Sequence, residues 1–230
     1  DIGAYDGKTF LVYMDRIDSL GNIYEAQWDE KAKAYKKMIK LNANVNSDFE
    51  TSGSIAPDNK TIFFASKRAN GLGETDLYMS RKLPNDEWGL AQNLGKVINT
   101  EYKEDFPVIA PDGKTLYFSS QGHDGMGDFD LFVSTWDPDE NTWTKPRNLG
   151  YPINSVGEER AISFSKENKV AYISSAREGG LGDLDIYKIV FKEEKSYLVQ
   201  GSVAMLDGKI PEGAAVAVEE PPPLLFLCFI

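Results

Sequence analysis

One eleven-residue stretch, APDGKTLYFSS at residues 110–120, recurs along the chain and limits what it can fold into. Residues 56–66 read APDNKTIFFAS, residues 165–175 read SKENKVAYISS, and residues 5–13 carry a fainter YDGKTFLVY. The shared lysines are Lys8, Lys60, Lys114 and Lys169, so successive intervals are 52, 54 and 55 residues. Three further signals keep the same phase. GLGETDLY (71–78), GMGDFDLF (125–132) and GLGDLDIY (180–187) follow their lysines at constant distance, with SLGNIYEA (19–26) a worn first version. NLG occurs at 93–95 and 148–150, and the pairs Asn46-Ser47, Asn99-Thr100 and Asn154-Ser155 precede acidic residues. A fixed period of this size denotes an array of similar units.

Each unit reads as four short strands. In the third, residues 105–110 form the first strand, and Pro111-Asp112-Gly113 the turn, with proline presetting one dihedral and glycine accepting a positive one. Residues 115–120 form the second strand. Its centre, Leu116-Tyr117-Phe118, is apolar on both faces, as in a strand sandwiched between two sheets. A glycine loop (121–128) leads to a third strand at 129–136. A turn at 137–141 leads to a polar fourth strand at 142–149, where Pro146 requires an edge, since proline cannot donate to a ladder. Residues 28–41 hold the best helical pattern, but their phase in the repeat predicts a hairpin and outer strand. Four-stranded units of this length, repeated without helix, describe an all-β propeller. The expected blades are 1–44, 45–97, 98–152 and 153–191. Four blades is the lower limit for closure, so further blades upstream are expected, with Asp1 at the edge of a repeat and not at a natural start.

Residues 192–196 read as a charged linker. Residues 197–220 change pattern, with turns at Asp207-Gly208-Lys209 and Pro211-Glu212-Gly213, and read as the opening hairpin of a β-sandwich. Residues 221–230 end in seven apolar residues, far short of the ~20 that a membrane helix needs. A cloning scar, an altered reading frame or a strand cut short would each give such a tail, and no role is assigned to it.

A chain of 230 residues buries roughly 70% of its unfolded surface, enough for a core without staples. Net charge is −11, which repels phosphate backbones and anionic headgroups and argues against nucleic acid and membrane-surface partners. Cys228 is the only cysteine, so an intrachain disulfide and a cysteine-based metal site are excluded.

The repeats of residues 5–191 resemble the TolB-like β-propeller family, the Ala-Pro-Asp-Gly-Lys type, in the form found in outer-membrane-associated proteins of Bacteroidetes. The Gly-Ser-Val and Pro-Glu-Gly-Ala-Ala-Val segments within residues 201–218 resemble a carboxypeptidase-regulatory-like β-sandwich. Such proteins often continue into an OmpA-like peptidoglycan-binding domain, and one is a periplasmic component of the type IX secretion machinery. The resemblance implies a periplasmic, outer-membrane-associated scaffold that binds envelope or secretion proteins. Peptidoglycan binding would belong to a domain outside this sequence. The fourth unit departs from the family, with Ser165-Lys166-Glu167-Asn168 in place of the Pro-Asp-Gly turn.

Candidate chemistry is sparse. The glycine loops carry Glu74 and Asp76, Asp128 and Asp130, and Asp183 and Asp185. With Asp124, the third loop offers oxygens to a Ca²⁺ ion, which takes six to eight, but Asn70 and Gly179 stand in the sister loops. The plainer reading has Asp76, Asp130 and Asp185 accepting backbone N–H bonds in the turn, with no cofactor. Glu104-Asp105 and Glu158-Glu159, with Glu50 in the matching place, precede the innermost strands and are expected at a channel mouth. Paired carboxylates there suit glycan binding or cleavage, but a residue type found in every unit is more often structural. His123, the only histidine, has neither triad nor metal-ligand spacing around it. Arg68 and Arg177 follow the second strands, where they pair with loop carboxylates or meet an acidic ligand. Trp28, Trp88, Trp136 and Trp143 read as blade packing, or as a sugar platform. A non-enzymatic protein-binding module is the favoured reading, with a glycan-active propeller as the alternative.

Overall fold

The computed structural model describes residues 9–14, 21–165, 170–191 and 226–229. These hold seventeen strands and no helix, grouped in four antiparallel sheets. The first sheet contains β1 (Thr9–Met14), β2 (Asn22–Asp29), β3 (Ala34–Tyr35) and β4 (Ile39–Lys40). The second runs in order through β5 (Glu50–Ile55), β6 (Thr61–Ser66), β7 (Asp76–Arg81) and β8 (Gln92–Asn93). The third comprises β9 (Glu104–Ile109), β10 (Thr115–Ser120), β11 (Asp130–Asp137), β12 (Thr142–Trp143) and β13 (Arg147–Asn148). The fourth comprises β14 (Glu158–Phe164), β15 (Val170–Ala176), β16 (Asp185–Val190) and β17 (Phe226–Phe229).

Each sheet is a meander, and the sequence repeat fixes its register. Thr61 pairs with Arg81, Thr115 with Thr135, and Val170 with Val190. Thr9 pairs with Gln27, so β1 is equivalent to β6, and no inner strand precedes it among the described residues. Pro146 splits the outer strand of the third sheet into β12 and β13, both paired only to β11. The apolar tail supplies β17, whose Phe226 to Phe229 pair with Val190 to Tyr187. That segment is the outer strand of the fourth sheet, a role the sequence alone left unassigned. The expected linker and sandwich at 192–220 lie outside the described residues.

The core lies between sheets. Ile62 and Phe64 of β6 pack with Ile23, Leu41 and Val45 from the first sheet. Phe63 and Ala65, on the other face, pack with Ile109, Leu116 and Phe118 of the third. Ile162, Ile173 and Ile189 pack with Leu131 and, at the edge, Tyr117. Every residue of β6 is buried, which is why these second strands do not alternate. Successive sheets touch through β1 and β5, then through the inner strands β5 and β9, and β9 and β14. No described element of the fourth sheet touches the first.

Candidate functional site

The inner strands open on acid. Glu50, Glu104 and Glu159 occupy equivalent places, opposite Ser66, Ser120 and Ser175. All three are fully buried. Each serine hydroxyl donates to its glutamate, at 3.0, 2.7 and 2.5 Å. The Ser47, Thr100 and Ser155 N–H groups donate to the same carboxylates. Burial is the largest influence on Glu50 and Glu104 and holds both carboxyls above the ordinary value, against these bonds. The pairs Glu104-Asp105 and Glu158-Glu159 are therefore out of step by one residue. Glu104 matches Glu159, and both are enclosed within their own sheets.

Arg68 and Arg177 complete this network. Arg68 Nη2 lies 3.2 Å from Glu50 and donates to the Val45 carbonyl. Arg177 Nη2 lies 3.3 Å from Glu159 and donates to the Ile153 carbonyl. Their guanidinium groups cover the rings of Tyr78 and Tyr187, and both are engaged by the protein itself. His123 takes the arginine's place in the third sheet. Its Nε2 lies 2.8 Å from the Ile98 carbonyl, and its ring packs on Phe118 and Phe132.

The glycine loops are closed by aspartate. Asp76 accepts from Leu72 N–H and Gly73 N–H, Asp130 from Met126 and Gly127, and Asp185 from Leu181 and Gly182. Glu74 pairs with Lys103, and Asp128 accepts from the Gln121 amide. Asp124, Asp128 and Asp183 are exposed. Among the described residues no three His, Cys, Asp or Glu side chains converge as a metal site, so Asp124, Asp128 and Asp130 are not brought together as ligands.

Asp105, Glu158 and Arg160 lie on the inner strands but outside the buried network. Neighbours along a strand point to opposite faces, so Asp105 and Glu158 face away from the buried glutamates beside them, and the register of each inner strand shifts beyond the glutamate. In the third sheet that shift puts Phe106 at φ 49°, a strained place for an aromatic residue. Asp105 accepts from the hydroxyls of Thr51 (2.8 Å) and Ser52 (2.5 Å) in the second sheet. Burial raises its carboxyl, against these bonds and the charge of Arg160. Arg160 Nε lies 2.5 Å from Glu158.

A cleft of about 560 Å³ opens between the second and third sheets, where the Pro-Asp-Gly-type turns lie. Phe63, Met79, Trp136 and Trp143 form its floor, and Lys60, Arg81 and Asp112 stand among its walls. Trp136 and Trp143 meet edge to face at 5.4 Å, and Trp143 touches Phe63 at 6.0 Å. They also face each other across β11 and β12. Trp28 and Tyr35 repeat this cross-strand pair in the first sheet, and Lys82 over Trp88 in the second. The sequence shows the tryptophans, but pairing them needs the register.

Four-stranded antiparallel meanders packed face to face in chain order are blades. The chain has a β-propeller fold. No protein-family model and no curated protein sequence matches it. Among solved structures it is similar to a putative TolB from Agrobacterium tumefaciens, at 20% identity and TM-score 0.50, covering 82% of this chain and 56% of that one. TolB from Acinetobacter baumannii gives 15% identity and TM-score 0.48, covering 81% and 39%. A putative 6-phosphogluconolactonase from Bacteroides uniformis gives 12% and 0.45, covering 90% and 57%. The chain thus spans about half the length of these structures, or less. At 20% identity the likeness to the Agrobacterium structure speaks for the fold alone.

Proposed function

We propose that this chain is a non-enzymatic, protein-binding propeller module of the periplasm, part of an outer-membrane-associated envelope or secretion assembly. One observation carries the binding reading. The glycine loops turn the same apolar position outward in successive blades, as Leu72, Met126 and Leu181. Tyr102 and Val156, on the adjoining linkers, are exposed beside them, and the five side chains are 43–89% exposed. Glu74 N–H bonds the Tyr102 carbonyl and Asp128 N–H the Gly157 carbonyl, which sets linkers and loops on one face. Apolar side chains gathered on rigidly held loops suit a protein contact. The enclosure of Glu50, Glu104 and Glu159 weakens the enzyme reading. Asp105 and Glu158, outside that network, keep a glycan-binding alternative open to test.

The test pairs the wild-type chain with a Leu72→Asp, Met126→Asp, Leu181→Asp variant, each immobilised and exposed to periplasmic and outer-membrane extract. Envelope proteins retained by the wild type and lost by the equally folded variant support the reading. Equal retention by both, or a blank with folded bait, overturns it. Saturable binding on a glycan array, abolished by Asp105→Asn with Glu158→Gln, would favour the alternative.

A further inference from the structure

The cleft between the second and third blades sits at the opposite ends of the strands from the glycine loops, and its argument is independent of the loop face. Two of its cations close no ion pair among the described residues. Asp58 accepts from Lys60 N–H, Thr61 N–H and the Thr61 hydroxyl. Asp112 accepts the same three bonds from Lys114 and Thr115. Burial works to raise both carboxyls, yet these bonds outweigh it and hold them below the ordinary value. Both acids are therefore turned into their own turns. Lys82 is paired with Glu25 at 3.3 Å and covers Trp88. Lys60 and Arg81 remain. Arg81 has Asp58 within reach of its charge, but neither cation's side chain closes an ion pair or hydrogen bond among the described residues. In a chain of net charge −11, two such cations stand over an aromatic floor.

The repeat shows which of these features is particular to this cleft. Register puts Arg81 where the third blade has Thr135 and the fourth Val190. The next cleft, about 310 Å³, repeats the aromatic floor with Tyr117, Phe164 and Phe191, but among the described residues no cation lines it. Packing explains the aromatic floor that these two clefts share. It does not explain a guanidinium found in one of the two.

We propose that this cleft binds a carboxylate carried on an aromatic body, with the ring against Trp136 and the carboxylate on Arg81 and Lys60. A guanidinium recognises a carboxylate through two parallel N–H bonds. A flat ring suits an edge-to-face tryptophan pair, and the volume lies in the range of small-ligand pockets. Free aromatic acids and the C-terminal residue of a peptide share this chemistry.

The experiment titrates the whole chain with 3-phenylpropionate, its uncharged amide, and the peptide Gly-Gly-Phe as free acid and C-terminal amide. Tryptophan fluorescence and calorimetry read the binding. Arg81→Thr is the informative variant, since Thr135 shows that a blade accepts threonine there. The free acids should bind at least about tenfold more tightly than their amides, and Arg81→Thr should lose about tenfold in affinity for the acids, with an unchanged melting temperature. Tighter binding of the peptide acid than of 3-phenylpropionate would identify a chain terminus as the source, and the reverse a free acid. Equal binding of acid and amide, wild-type affinity in Arg81→Thr, or no saturable binding to folded protein would overturn the proposal.

Discussion

Glu50, Glu104 and Glu159 place a carboxyl group where water does not reach, and this has a consequence in pH. Burial holds the Glu104 carboxyl above its ordinary value of 4.5, so the folded state keeps a proton that the unfolded chain has released. The stability this group lends is complete below about pH 4.5 and drains away as pH rises through the raised value. Glu50 and Asp105 act in the same sense. Asp58 and Asp112 act in the opposite sense: their contribution is complete above 3.8 and drains as pH falls. Glu104→Gln removes one titration and leaves the others. The variant should melt below the wild type, because it keeps one acceptor oxygen where Glu104 uses two, for the Thr100 N–H at 2.8 Å and for the Thr100 and Ser120 hydroxyls. The gap should be widest near pH 4.5 and narrow toward pH 8. Melting curves at five pH values would check it; parallel profiles would mean that burial does not govern Glu104.

At the scale of strands, the cross-strand aromatic pairs are chemically alike but differ in burial. Trp143 is buried against Phe63 and Trp136. Trp28 meets Tyr35 at the outer edge of the first blade, where Tyr35 is exposed. Trp143→Ala opens a cavity between two blades and should cost about 3–5 kcal/mol. Trp28→Ala should cost about 1 kcal/mol, the worth of a cross-strand pair. Urea unfolding of both variants measures the difference, and equal costs would show that the second and third blades do not pack through Trp143. These pairs also mark the limit of what the sequence makes legible. The second strands were legible because burial on both faces writes a continuous apolar run, as in Ile62-Phe63-Phe64. The aspartate turns were legible because glycine and acid recur at fixed spacing. The match of Glu104 with Glu159 stands in the repeat, since Glu50, Glu104 and Glu159 each lie ten residues before a shared lysine, but their enclosure by serine hydroxyls and N–H groups of the same blade was hidden. His123 standing in for an arginine was hidden too, because it lies one residue out of phase and its partner, the Ile98 carbonyl, leaves no trace in sequence. The cleft joins side chains from two blades, Arg81 with Trp136, and no local pattern links them.

The whole molecule is held as a series. Asn46, Asn99 and Asn154 each sit between one blade and the next, and each side chain copies a strand. Asn99 accepts from Leu77 N–H at 2.8 Å and donates to the Leu77 carbonyl at 3.0 Å. Asn154 does the same with Leu131, and Asn46 with Ile23. A second tie runs from Glu50, Glu104 and Glu159 N–H to the carbonyls of Gly21, Thr75 and Phe129 in the preceding blade. Since the described elements of the fourth blade do not touch the first, stability is close to a sum of blades and junctions, as in linear repeat proteins. Asn154→Ala leaves the buried Leu131 N–H unpaired, while the Leu131 carbonyl keeps the Leu149 N–H; the cost should be about 1–3 kcal/mol, and the loss falls on one junction. Amides of β14, β15 and β16 should then exchange faster while those of β6 and β10 stay protected. Asn99→Ala removes the same bonds one junction earlier. It should separate the first two blades from the last two, so that exchange in β14 to β16 follows that of β9 to β11. Hydrogen exchange read strand by strand distinguishes these patterns. If both variants raised exchange evenly through all four blades, the described blades would be a single cooperative unit, and the junction asparagines would be ordinary core residues within it.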